Sequence, residues 1–193
     1  MATRNETGIT TRDVVMIALF AAIIVTLGLV PPVTLGVVPV PITLQTLGVM
    51  LAGAALGPVR GALACALVAL LTAIGLPVLA GGRGGIGVFL GATGGYVVGW
   101  ILGALVSGLL VKHWVLRLRS RWAQVGAYFA ACVVGGILAV YLVGIPWLSV
   151  AGGLSLGQAL VGGLVFVPGD LVKAAITALV VHGVRRAYPM PVK

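Results

Sequence analysis

Three features of this 193-residue sequence predict an all-α integral membrane protein with six transmembrane helices. Of its residues 61% are hydrophobic, only 8% are charged, and the apolar ones gather into six runs of near-bilayer length. A soluble domain is about 45–50% apolar and about 25% charged, so this chain has too little charged surface to cover a water-facing globule. Its mean hydropathy of +1.23 points the same way. A spanning helix needs about 20 apolar residues to cross a hydrocarbon core about 30 Å thick. Six such spans make a single membrane domain of residues 1–193 and leave no room for a soluble catalytic domain.

The first span is expected over 14–30. It follows Asp13, a carboxylate suited to a helix N-terminus, and closes at Pro31-Pro32. The uncharged, Pro- and Gly-rich connection from Val33 to Pro41 is too apolar for bulk water. A second span over 42–56 ends at Gly57-Pro58, and a third over 61–76 breaks at Gly75-Leu76-Pro77. A dense glycine cluster follows between Gly81 and Gly95. The fourth span, 96–111, stops at the basic segment Lys112 to Arg121. The fifth covers 122–143, and the sixth covers 160–181 with Pro168-Gly169-Asp170 inside it. The polar N-terminus lacks the small-residue cleavage site of a signal peptide.

Charge gives the orientation. Lys and Arg number 12 against three acids, for a net charge of +9. Ten of the 12 basic residues fall before span one, between spans two and three, between four and five, or after six. Cytoplasmic loops carry such an excess, so both termini are expected in the cytoplasm of a plasma-membrane protein. With no basic face, the net charge does not indicate nucleic-acid binding. The connections at 33–41, 80–95 and 144–156 then share the outer side. Irregular backbone at membrane depth is tolerated where it lines a cavity, which predicts an outward-facing pocket roofed by these loops.

Asp170 and Lys173 are the acid and amine set deep within apolar sequence. At i and i+3 they share a helix face, and intramembrane charges commonly mark a substrate path. Pro168 is expected to weaken the helix just before them and to free backbone carbonyls. Gln45, with Thr43 and Thr46, fits either ligand contact or interhelical hydrogen bonding. Arg83 suits an anionic group at the pocket mouth or a solvated loop. The four tryptophans, Trp100, Trp114, Trp122 and Trp147, are expected to anchor at the interfaces. Ala18 and Ala22 form a small-xxx-small groove for another helix. Cys65 and Cys132 read as small core residues, and no metal-ligand spacing occurs. No P-loop, HExxH or GxSxG motif is present, so neither enzyme nor ATPase is expected.

Four strings, in this order and spacing, carry a resemblance: Pro39 to Gly48 (PVPITLQTLG), Ala73 to Val78 (AIGLPV), Gly94-Gly95-Tyr96, and Pro168 to Lys173 (PGDLVK). From about Arg12 to Val184 the chain resembles the biotin-specific S components of energy-coupling factor (ECF) transporters, the BioY family. The resemblance implies an S-component-like fold that binds biotin from outside. It works with a transmembrane coupling subunit and cytosolic ATPase subunits, and without a cofactor. It further implies that Asp170 and Lys173 contact the ligand and that Gly81, Gly82, Arg83, Gly84 and Gly85 form a ligand-facing loop. Tyr96, Gln45 and Thr43 join the binding set, Val33 to Pro41 forms a lid, and Ala18 and Ala22 face the coupling subunit. Asp170 is expected to accept from a ureido N–H of biotin. Lys173 suits either the ureido carbonyl or the valerate carboxylate. Two alternatives stand beside this reading: a self-associating carrier that transports alone, and a subunit for another ring-containing vitamin.

Overall fold

The computed structural model describes residues 9–34, 36 and 39–187. Within them the regular structure is helical, with two isolated β-bridges in the connections. In order come α1 (Thr11–Leu27), α2 (Gln45–Leu56), α3 (Pro58–Ala73), the short α4 (Gly87–Leu90), α5 (Gly94–His113), α6 (Arg121–Cys132), α7 (Val140–Ala151), α8 (Leu156–Leu164) and α9 (Val167–Ala187). Three stretches are long and apolar enough to cross a membrane: Gly94–Arg117, Arg121–Ala151 and Val167–Ala187. The apolar helices α2 and α3 are shorter. Large apolar side chains stand outward along the bundle, with Leu142 71% and Val150 85% exposed. Such surface is stable against lipid and a liability in water.

Helix starts follow local chemistry. Thr10 and Asp13 form a reciprocal capping box at α1, the Thr10 hydroxyl accepting from the Asp13 N–H and the Asp13 carboxylate from the Thr10 N–H. Asp13 also pairs with Arg60 in the first turn of α3. Arg60 is therefore a buried partner of α1. Pro58 opens α3, where its missing N–H costs nothing. The central α5 packs against α2, α3 and α7. One buried cluster, with Ile24, Val49, Val68, Val97, Trp100 and Leu148, fills the end of the bundle near α4 and α8. A second, with Met50, Val111, Tyr128, Ile137 and Val181, fills the opposite end.

Two expected spans are drawn differently. The fifth does not stop at 143: α6, a π-helical segment Val133–Ala139 and α7 run without a break to Ala151. The outer connection expected over 144–156 shrinks to 152–155. Gly144 and Pro146 fail to end the helix because a chain in hydrocarbon has no water to satisfy freed backbone groups. The sixth expected span, 160–181, is not one helix. α8 ends at Leu164, the chain turns through Val165 and Phe166, and α9 starts at Val167. Pro168 lies in the first turn of α9, where proline fits, so it frees no mid-helix carbonyl.

Candidate ligand-binding site

A cavity opens between the N-terminal parts of α2, α5 and α9, the middle of the continuous α6–α7 helix and the connecting loops. Val40, Pro41, Ile42, Thr43, Gln45 and Thr46 form one wall, and Leu79, Arg83 and Thr93 the rim. Tyr96, Val97 and Trp100 of α5, Val140 and Tyr141 of α7, and Phe166, Asp170 and Lys173 complete it. The loop wall is held by a β-bridge between Val33 and Ile42, with bonds of 3.0 and 2.8 Å. Residues 35, 37 and 38 of the expected lid lie outside the described residues.

The floor is a polar network in apolar surroundings. Asp170 is 3% and Lys173 6% exposed. Lys173 Nζ donates to Asp170 Oδ1 at 2.8 Å, to Thr46 Oγ1 at 2.9 Å and to the Thr43 carbonyl at 2.7 Å. Those three bonds use all the donors of an ammonium. Thr46 Oγ1 donates to Asp170 Oδ1 at 3.2 Å, and Tyr141 Oη donates to Asp170 Oδ2 at 2.7 Å. A carboxylate has about four acceptor sites, which leaves room on Oδ2 for an incoming N–H. Asp170 also lies in the first turn of α9, where the helix dipole favours negative charge.

Above the floor, Tyr96 stands edge-on to Tyr141 and Phe166, with ring centroids 6.1 and 6.3 Å away. Its hydroxyl is buried with no hydrogen-bond partner among the described residues. Such an orphan in a cavity wall suits a polar atom of a ligand. At the rim, Arg83 Nε donates to the Ala80 carbonyl at 3.1 Å and Nη1 to Thr93 Oγ1 at 3.3 Å. Partial burial pushes its guanidinium below the ordinary arginine value.

Other residues take different places. Gln45 borders the cavity, but its amide is committed to backbone. Nε2 donates to the Ile24 and Val78 carbonyls at 3.2 and 3.1 Å, and Oε1 accepts from the Ala80 N–H at 2.9 Å. Of the stretch Gly81 to Gly85, only Arg83 lines the cavity. Gly81 and Gly82 take φ of +78° and +68° to close a turn sealed by paired Leu79 and Arg83 backbones. They border a separate concavity with Pro31 and Pro32. A Cβ on Gly84 would strike the Leu76 carbonyl, and Gly85 closes onto the Thr72 carbonyl at 2.7 Å. These glycines shape the loop and make no part of the cavity wall.

Trp100 is 5% exposed and lines the cavity, contrary to its expected interfacial place. Trp147 Nε1 is tied to the Gly91 carbonyl at 3.0 Å, while Trp114 and Trp122 face outward. Ala18 and Ala22 lie exposed on one face of α1, and Cys65 and Cys132 are buried free thiols. Among the described residues no group of three or more His, Cys, Asp or Glu forms a metal cluster. Tyr141 and Phe166 carry no sequence signal of their role, since an aromatic in an apolar run reads alike on lipid and cavity faces.

Comparison with known proteins covers the whole chain. It is 51% identical over 180 residues to the biotin transporter BioY of Rhizobium etli, an alignment spanning 93% of this chain and 96% of that one. It is 50% identical over 187 residues to the biotin transporter BioY of Rhodobacter capsulatus, spanning 92% and 95%. A crystal structure described as the S-component for biotin from an ECF-type ABC transporter superposes with a TM-score of 0.84 at 34% identity. That superposition covers 96% of this chain and 95% of the other. A family model described as the BioY family matches residues 1–190. Matched end to end in sequence and superposed over nearly all its length, the chain belongs to the BioY family.

Proposed function

We propose that this chain is the high-affinity biotin-binding membrane subunit of a vitamin uptake transporter. In this reading it is a single six-helix domain of the plasma membrane with both termini cytoplasmic. α1, α2, α3, α5, the continuous α6–α7 and α9 are its spans, and α4 and α8 lie in outer connections. A transmembrane coupling subunit and cytosolic ATPases supply the energy, and Ala18 and Ala22 on the exposed face of α1 meet the coupling subunit. Relatives named as biotin transporters, and a structural neighbour described as an ECF S component, support the assignment.

The observation that carries it is a charged, hydrogen-bonded floor in an otherwise apolar cavity. Biotin has apolar fused rings and a valerate chain, with a ureido group that offers two N–H donors and one carbonyl. A ureido N–H meets the open side of Asp170 Oδ2, a charge-assisted bond strengthened by the low local dielectric. Lys173 has its three N–H groups on protein oxygens, so the Tyr96 hydroxyl is the better donor to the ureido carbonyl. The valerate runs past Trp100 toward the rim, where Arg83 meets its carboxylate. Mass spectrometry of protein purified from biotin-replete cells without added ligand tests the assignment. Bound biotin supports it; a ligand-free protein that also fails to bind biotin in titration overturns it.

A further inference from the structure

We propose that the end of the bundle opposite the biotin cavity holds a binding site for the phosphate of an anionic lipid headgroup. The site is a concavity between the turn after α5, the first turn of α6 and the last turns of α9. Its walls include Arg119, Arg121, Gln124, Tyr128, His182 and Arg186. The inference requires that the chain span a bilayer, and it is independent of the ligand in the cavity above.

The described walls of this concavity are basic. The chain has three acidic residues. Glu6 lies outside the described residues, Asp13 pairs with Arg60, and Asp170 pairs with Lys173. Among the described residues no carboxylate lines the concavity with Arg119, Arg121 and Arg186, and their charge is complementary to an anionic headgroup. The walls are also held in place: Gln124 Nε2 donates to the Leu118 carbonyl at 2.7 Å, and Arg185, which also lines the concavity, donates from Nη1 to the Ala55 carbonyl at 3.1 Å. His182 is half-buried beside Tyr128, with ring centroids 6.5 Å apart, and its Nε2 has no hydrogen-bond partner among the described residues. The N-cap Ser120 makes no side-chain bond to the first turn of α6, leaving backbone N–H donors for an anion.

Position selects a lipid over a dissolved anion. From Asp170 to Arg186 along α9 the rise is roughly 24 Å, which sets the arginines near the far boundary of the hydrocarbon core. Trp114 and Trp122, 45% and 75% exposed, mark the same level as interfacial indoles. Half-exposed Leu116 borders the concavity and offers contact to a glycerol backbone or acyl chain. Basic pockets between spanning helices suit phosphate headgroups.

Native mass spectrometry of the full chain in detergent micelles decides the matter, with phosphatidylglycerol, phosphatidylcholine of the same acyl chains, and inorganic phosphate as probes. Phosphatidylglycerol is expected to stay bound through detergent stripping while phosphatidylcholine leaves. Combined Arg119→Gln, Arg121→Gln and Arg186→Gln should lower its retention by about fivefold per arginine, with biotin affinity unchanged. Should the triple variant fail to bind biotin, Arg119→Gln alone, in an exposed turn, carries the test. Equal retention of the two lipids, or full retention of phosphatidylglycerol by the folded variants, overturns the site. Inorganic phosphate that binds where phosphatidylglycerol does not reassigns it to a free anion and overturns the lipid.

Discussion

Tyr141 Oη donates to Asp170 Oδ2 at 2.7 Å, and this bond ties the long α6–α7 helix to α9 across the cavity floor. The tyrosine lies two residues beyond the π-helical segment Val133–Ala139, whose wider turn resets the face that α7 presents. π-Turns inside α-helices recur at functional sites. Here the segment precedes the two α7 residues, Val140 and Tyr141, that line the cavity.

Tyr141→Phe removes a donor to a charged acceptor, worth about 1.5–3 kcal/mol. Biotin affinity is expected to fall roughly 10- to 100-fold by isothermal titration. An unchanged Kd would show that Asp170 needs no help from Tyr141 to receive the ligand.

Asp170→Asn leaves Lys173 buried beside a neutral group, and breaking such a pair costs about 3–5 kcal/mol. Both Tm and biotin affinity are expected to drop. The double variant Asp170→Asn/Lys173→Met removes the unpaired charge, so thermal stability should recover while binding stays lost. Recovery of binding with stability would make the pair a structural clasp.

Tyr96→Phe separates the two states differently. Its hydroxyl is buried and unpartnered, at a cost of about 1–3 kcal/mol, so the ligand-free variant should melt at a higher temperature than the parent. Biotin should bind it more weakly, because the orphan becomes a donor only in the complex. A variant that is less stable and binds normally would exclude this role.

Gln45→Leu keeps the approximate side-chain volume and deletes three hydrogen bonds to Ile24, Val78 and Ala80. Hydrogen exchange at the Ala80 amide should accelerate and biotin should dissociate faster, since Leu79 and Arg83 lose their anchor. Stability should fall by about 1–3 kcal/mol, the cost of a buried group left unpaired. Protected exchange at Ala80 would show that the loop holds its shape unaided.

Ala18→Leu/Ala22→Leu tests the partner face. Both positions are exposed on α1, so binding of biotin by the isolated protein should be unchanged. Uptake in cells with the coupling and ATPase subunits should fall by an order of magnitude or so, because bulky side chains bar close helix approach. Full uptake by the variant would place the coupling subunit elsewhere.

The sequence makes some of this visible and hides the rest for a physical reason. Asp170 and Lys173 stand out because charge is expensive in hydrocarbon, and their i, i+3 spacing puts them on one face. Tyr141, Trp100 and Phe166 do not, because lipid-facing and cavity-facing positions draw on the same apolar side chains. Gln45 is conspicuous as a buried amide, yet only coordinates reveal that it serves Ala80 and two carbonyls. The turn at Val165 and Phe166 escapes notice because Pro168 marks a helix start as readily as a kink. The glycines at 81 and 82 announce a turn, whereas their absence from the cavity wall follows from where Leu79 and Arg83 pair.

Lys173 directs all three N–H groups to oxygens of the protein and sits against Asp170, so the floor beneath the ligand is electrically balanced before anything arrives. A transmembrane voltage does work of about 2.3 kcal/mol per elementary charge per 100 mV. It finds no net charge on that floor to pull. With a neutral ureido group seated on it, as proposed, the floor stays balanced, and the membrane voltage does no work on this part of the cavity.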